Sequence, residues 1–157
     1  MEPVNGWQLY PHPEFSAQLA KLKARVEKTK ASNPGGYEKR HEAKLLKAII
    51  ALTTQIIPAD PGARQFRHGG TLGDKRKHWF RAKFGNGRYR LFFQFNSVAK
   101  IIIYAWVKDA ASLRTYGAKS DAYAVFRSML DQGNPPDGWV ELMEAAGRGA
   151  EGGKARR

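Results

Sequence analysis

The side chains most suited to chemistry in this sequence are four closely spaced cations, Arg81, Lys83, Arg88 and Arg90. Three of the four are arginine, whose planar fork of donors matches a phosphate group. Between Pro61 and Phe95 there are nine Lys or Arg and one acid, Asp74, so local carboxylate partners are nearly absent. Like charges set opposite one another in a sheet are destabilising. An anionic ligand relieves that repulsion, and phosphate is the anion these residues fit.

Phosphate chemistry on RNA needs no metal. The 2′-hydroxyl is the nucleophile, so a protein has to align it, stabilise the phosphorane charge and move two protons. Arg81, Arg88 and Arg90 are the candidates for binding the scissile phosphate. Lys83, Lys108, Arg114, Arg67 and Lys77 are candidates for holding flanking phosphates. Tyr116, Tyr123 and His68 are candidates for positioning the RNA or transferring a proton. His78 reads as a surface residue, and His12 and His41 belong to other elements as structural or solvated groups. A metal centre finds little support: beyond Glu42, one position from His41, no His or carboxylate pair has familiar ligand spacing. No cofactor is expected.

The four cations need an element that gathers them. Trp79 to Asn96 reads as a β-hairpin, two aromatic-rich runs around Gly85-Asn86-Gly87. Side chains alternate faces along a strand. Phe80, Ala82 and Phe84 therefore share a face with Tyr89, Leu91, Phe93 and Phe95. Arg81 and Lys83 share the other with Arg88, Arg90, Phe92 and Gln94. A two-residue turn at Asn86-Gly87 sets Phe84 opposite Tyr89 and Lys83 opposite Arg90.

The remaining elements follow from periodicity. Val4 to Tyr10 suggests an opening strand. Phe15, Leu19, Leu22 and Val26 form the apolar stripe of a helix that starts near Pro13. Asn33-Pro34-Gly35-Gly36 breaks it, and a second helix is expected from about Tyr37 to Ile57. Ile101 to Lys108 is apolar on both faces, as a central strand is. A third helix has Ser120 or Asp121 as N-cap, Phe126, Met129 and Leu130 inward, and Gly133 at its C-cap. A short last helix ends near Ala146, and residues 147–157, Gly-rich and basic, are expected to be a disordered tail. Residues 1–146 then make one α+β domain, a mostly antiparallel sheet with an N-terminal helical hairpin on one face and a C-terminal helix.

The 157 residues carry a net charge of +13, which points to a polyanion, nucleic acid ahead of membrane. No segment has the length and apolarity of a membrane span. The absence of cysteine and of an export signal gives a cytoplasmic expectation.

VNGW (4–7), FRHG (66–69), KFGNGRYRLFF (83–93), LRTYG (113–117), DAY-VF (121–126) and the later Gly-x-Pro-Pro resemble the YhaV family of bacterial type II toxins, from about Val4 to Trp139. The resemblance implies a RelE-like fold and an mRNA endoribonuclease acting on the ribosome. It implies as partner a PrlF-type antitoxin of the swapped-hairpin class, with operator DNA bound only by the toxin–antitoxin complex. Arg81 matches the arginine connected with activity, Arg90 the strand arginine of the wider YRL motif, and Tyr123 a helix-borne tyrosine used at the scissile phosphate. Where relatives often carry Arg after the strand, this chain has Lys108-Asp109 and only later Arg114. The alternative is a basic RNA- or ribosome-binding module that blocks translation without cutting. A DNA-binding regulator is weaker, because no recognition helix with a polar reading face stands out.

Overall fold

The computed structural model describes residues 3–109 and 122–155. Four strands form one mixed sheet: β1 (Gln8–Pro11), β2 (Phe80–Phe84), β3 (Tyr89–Asn96) and β4 (Ile101–Asp109). Their spatial order is β1-β4-β3-β2. β1 runs parallel to β4, while β2/β3 and β3/β4 are antiparallel. The expected opening strand is shorter than its apolar residues suggested. Val4 and Trp7 bond to each other across a tight turn in which Asn5 and Gly6 have φ of 52° and 83°, so β1 starts only at Gln8.

α1 (Pro13–Ser32) places Pro13 in its first turn, where no intrahelical N–H is needed. Its N-cap is His12, which accepts the Glu14 N–H at Nδ1 over 3.0 Å. Phe15, Leu22 and Val26 of the stripe are buried. His12 is itself buried, and burial lowers its pKa from 6.5 against a smaller opposing pull from Glu14. Only an unprotonated Nδ1 can accept the cap hydrogen bond. The unfolded chain therefore takes the proton first, so stability is intact above pH 6.5 and falls as the pH drops through the lower folded value. His12→Asn keeps a capping oxygen without titrating there. Urea unfolding from pH 7 to 5 is expected to show a shallower acid loss in the variant; parallel curves for the two proteins would refute the cap's role.

The second helical stretch is not continuous. A 3₁₀ turn at Tyr37–Lys39 stops at Arg40, whose backbone is extended (φ −76°, ψ 153°). α2 (His41–Ala51) then widens into a π-helical segment, Leu52–Ile56, before the single turn α3 (Ile57–Ala59). A widened turn disturbs the carbonyl ladder. Here Tyr104 of β4 donates its buried hydroxyl to Thr53 O at 2.6 Å, and burial raises the pKa of that hydroxyl. Sheet and helix are thus joined by a satisfied polar contact as well as by packing.

Both sheet faces are covered. On the first face Phe15, Leu22, Ile49, Leu52 and Ile57, from α1 through α3, pack on Ala82, Leu91, Phe93, Ile102 and Tyr104. On the second, α4 (Ala122–Asp131) and α5 (Trp139–Ala155) set Phe126, Leu130, Leu142 and Ala146 against Phe92, Ile103 and Ala105. Phe126 anchors α4: its ring stacks on Phe92 at 4.2 Å and meets Trp79 edge-on at 4.9 Å. The second face is therefore not an open basic surface along its length. It is cationic only toward the hairpin tip. Gly133, at φ 83°, ends α4 as its composition suggested, with its N–H on Leu130 O. α5 does not stop near Ala146; its backbone stays helical to Ala155. Ser120 and Asp121, the expected N-cap residues of α4, lie outside the described residues. No helix among the described residues is long and apolar enough to cross a membrane.

Candidate functional site

The hairpin forms in the register its Asn-Gly turn dictates, with Phe84 opposite Tyr89, Lys83 opposite Arg90 and Arg81 opposite Phe92. Asn86 and Gly87 both adopt positive φ, 58° and 80°, as a type I′ turn requires. Gly85 also has positive φ, and a Cβ there would stand 2.7 Å from the Tyr89 ring, so the tip closes tightly only with glycine.

On the other side of β3, Arg90 pairs with Lys108 and Phe92 with Trp106, whereas Phe93 pairs with Tyr104. Ala105 is thus an extra residue in β4, a bulge. Without it, alternation would turn Lys108 to the first face together with Tyr104. With it, Trp106 and Lys108 share the second face with Phe92 and Arg90. The bulge re-aims a side chain beside a cationic row, a common use of such irregularities. The result is a line Lys83–Arg90–Lys108 across three strands, with Arg81, Phe92 and Trp106 in the next row.

Tyr123, in the first turn of α4, completes the group. Arg81 Nε donates to Tyr123 Oη at 2.8 Å, and Arg81 Nη1 donates to Gln65 O at 2.6 Å. Two of five donors on the guanidinium are so engaged, and the rest have no further hydrogen bond among the described residues. Arg90 lies 5.9 Å from the centre of the Tyr123 ring and donates to Gly87 O, and the Tyr123 ring meets Phe92 edge-on. Lys108 lies over Trp106 at 5.9 Å. Among the described residues the ion pairs are Arg76–Asp131, Arg76–Asp137 and His78–Asp137, so none neutralises Arg81, Lys83, Arg90 or Lys108. Three held cations and a tyrosine hydroxyl around one small area can grip a phosphate on several oxygens and stabilise added negative charge.

Other candidates stand elsewhere. Arg88 is beyond the strand end, and its guanidinium turns toward the Tyr89 ring at 6.0 Å on the side of α2, away from Arg81 and Arg90. His68 is buried, with Nε2 on Arg76 O at 2.8 Å and Nδ1 facing Leu72 N at 3.4 Å. Both nitrogens hold the turn-rich loop together, which leaves no proton acceptor for a substrate. Arg67 and Lys77 are exposed and share a separate shallow pocket with His68 and Phe80; Arg67 also bridges to Phe80 and so borders β2. Arg114 and Tyr116 lie outside the described residues. His78 is held on Asp137. Among the described residues no three His, Asp or Glu side chains gather as metal ligands would.

Sequence reasoning missed the Gln65 carbonyl that orients Arg81, the bulge that aims Lys108, and the Asp137 hub. Asp137 accepts from Trp79 Nε1 at 2.7 Å and Arg76 Nε at 3.1 Å, while its backbone carbonyl accepts from Gln94 Nε2 at 3.0 Å. Burial alone would raise the carboxyl pKa of Asp137, but the Trp79 and Arg76 hydrogen bonds and the His78 charge prevail and hold it below its usual value. Partners some sixty residues apart leave no local signal.

The family model described as a toxin with endonuclease activity, of a toxin–antitoxin system, matches residues 9–147. A protein of Escherichia coli O6:H1 named Toxin YhaV is 45% identical over 142 residues, covering 90% of this chain and 92% of its own. One of E. coli strain K12 named Ribonuclease toxin YhaV is 46% identical over 140 residues, covering 88% and 91%. No solved structure gives a significant match.

Proposed function

This chain belongs to the YhaV family of toxins of toxin–antitoxin systems, and from that premise we propose that it is a ribosome-dependent, metal-independent mRNA endoribonuclease that stops translation. The observation that carries this reading is Arg81, fixed by Tyr123 and Gln65 beside a cationic row with no carboxylate partner among the described residues. Arg81 and Arg90 bind the scissile phosphate. As the 2′-oxygen forms its bond to phosphorus and the bond to the 5′-oxygen breaks, charge builds on the equatorial oxygens, where a guanidinium already in place is worth most. Tyr123 positions Arg81 and reaches the reacting group with its hydroxyl. Lys83 and Lys108 hold flanking phosphates, joined by Arg114 and Tyr116 of the 110–121 segment. The ends produced are a 5′-hydroxyl and a 2′,3′-cyclic phosphate, which water opens to a 3′-phosphate.

The same reading includes a RelE-like arrangement of the sheet and helices and a cytoplasmic site of action. Its antitoxin is of the PrlF type, with operator DNA bound only by the pair. An acidic antitoxin segment laid over Arg81 and Arg90 would neutralise the toxin by occupying the phosphate's place. The test is primer extension on one defined message, with and without translating ribosomes, in EDTA. Discrete cuts that survive EDTA and need ribosomes are expected. Cuts abolished by EDTA would overturn the metal-free mechanism, and arrested translation over intact message would replace the nuclease with a non-cleaving binding module.

A further inference from the structure

The face of the hairpin tip turned away from Arg81 has its own cationic groove, of about 250 Å³, between the start of α2 and the β2–β3 turn. His41 and Lys44 project into it from successive turns of α2, and Arg88 closes it from the hairpin. No carboxylate is among its lining residues, and none of these three side chains belongs to an ion pair among the described residues. The wall is built rather than fortuitous. His41 Nε2 and Tyr89 Oη are 2.7 Å apart, the Phe84 and Tyr89 rings stack at 5.2 Å, and Gly85 lets the turn close onto Tyr89.

We propose that this groove is a second phosphate subsite, which takes the backbone of the same single RNA strand after it has crossed the hairpin tip. The inference rests on the nuclease reading of the Arg81 face and extends it to residues outside the catalytic row. Arg88, in the turn just before β3, and Arg90, the second residue of β3, are two residues apart, at most roughly 7 Å of backbone. An extended RNA backbone covers that distance in a nucleotide step or so. The tip between them is only Asn86-Gly87 wide, so cations on its two faces form one continuous electropositive path. Lys and Arg grip phosphates without reading bases, so the subsite adds affinity and register and not sequence preference. An acidic protein segment has matching charge, but continuity with the Lys83–Arg90–Lys108 row favours the strand already bound there.

The probes are single-stranded oligonucleotides with 2′-O-methyl groups, which keep every phosphate and remove the nucleophile. One is a dinucleotide and the other is long enough to pass over the tip. Wild type, Lys44→Gln/Arg88→Gln and the α1 control Lys28→Gln are compared across a salt series. All these side chains are exposed. For the long probe the double variant is expected to bind roughly tenfold more weakly, with a log–log salt slope shallower by about 1.4, or ~0.7 for each lost single-strand phosphate contact. Dinucleotide binding should be unchanged. A long-probe affinity and slope equal to those of the control would overturn the proposal while leaving the Arg81 site standing. Failure of wild type to bind either probe would remove both. Intact RNA binding with a weakened antitoxin complex would overturn the proposal by assigning the groove to the protein partner.

Discussion

Arg81→Ala is expected to lower the ribosome-dependent cleavage rate by about 10²–10³-fold, the usual loss when one preorganised donor to a developing oxyanion is removed. The geometry sets this expectation. Arg81 is held at Nε by Tyr123 and at Nη1 by the Gln65 carbonyl, so its plane is fixed before any RNA arrives. Arg81→Lys keeps the charge but has no fork to place between those two partners and a phosphate, and should recover little of the loss. Tyr123→Phe separates two roles for the tyrosine. If its oxygen only orients Arg81, the variant loses roughly tenfold, and the substitution adds almost nothing in an Arg81→Ala background, as coupled residues behave. If the hydroxyl also moves a proton, the double variant falls well below Arg81→Ala alone. Single-turnover cleavage with saturating ribosomes reads both quantities. Full activity in Arg81→Ala would remove the centre of the mechanism.

How far the sequence foretold this site depends on which interactions are local. The Asn86-Gly87 turn fixes the β2–β3 register through backbone preference alone, so Lys83 facing Arg90 was legible. Alternation says which residues share a face but not what covers it. Phe92, an aromatic among Arg88, Arg90 and Gln94, was the sign that the second face is partly a core, and Phe126 stacks on it. Alternation also fails where a strand ends or bulges. Arg88 follows the turn and swings to α2, whereas Lys108 reaches Arg90 only because Ala105 is inserted. The π segment carries a tertiary partner, Tyr104 on Thr53 O, which a periodicity cannot contain. His68 in the FRHG string looked like a proton carrier by type, yet backbone groups of its own loop claim both nitrogens.

A separate set of long-range partners, Trp79, Arg76, His78 and Gln94, converges on Asp137, and Asp137→Ala is expected to give the largest stability loss of any single exposed-edge substitution. The carboxylate receives the indole N–H of Trp79, a side chain with no solvent exposure, and the Nε–H of Arg76. Truncation strands a buried donor, which costs about 1–3 kcal/mol, with a further contribution of roughly 1 kcal/mol from the partly exposed Arg76 contact. Asp137→Asn keeps the oxygen for Trp79 and should lose only the charge-dependent part. The pH dependence runs in a definite direction. A carboxyl whose folded pKa lies below 3.8 contributes stability present above that value and lost as the pH falls through the lower folded one, so wild type and Asp137→Asn should begin to converge only below pH 3.8. Because Asp137 ties the α4–α5 connection to the residue before β2, its loss also loosens Tyr123 on α4 from Arg81 on β2. Cleavage should therefore fall in Asp137→Ala at temperatures where the protein is still folded. A variant with wild-type urea midpoint and wild-type cleavage would show that packing of Phe126 on Phe92 alone sets that geometry.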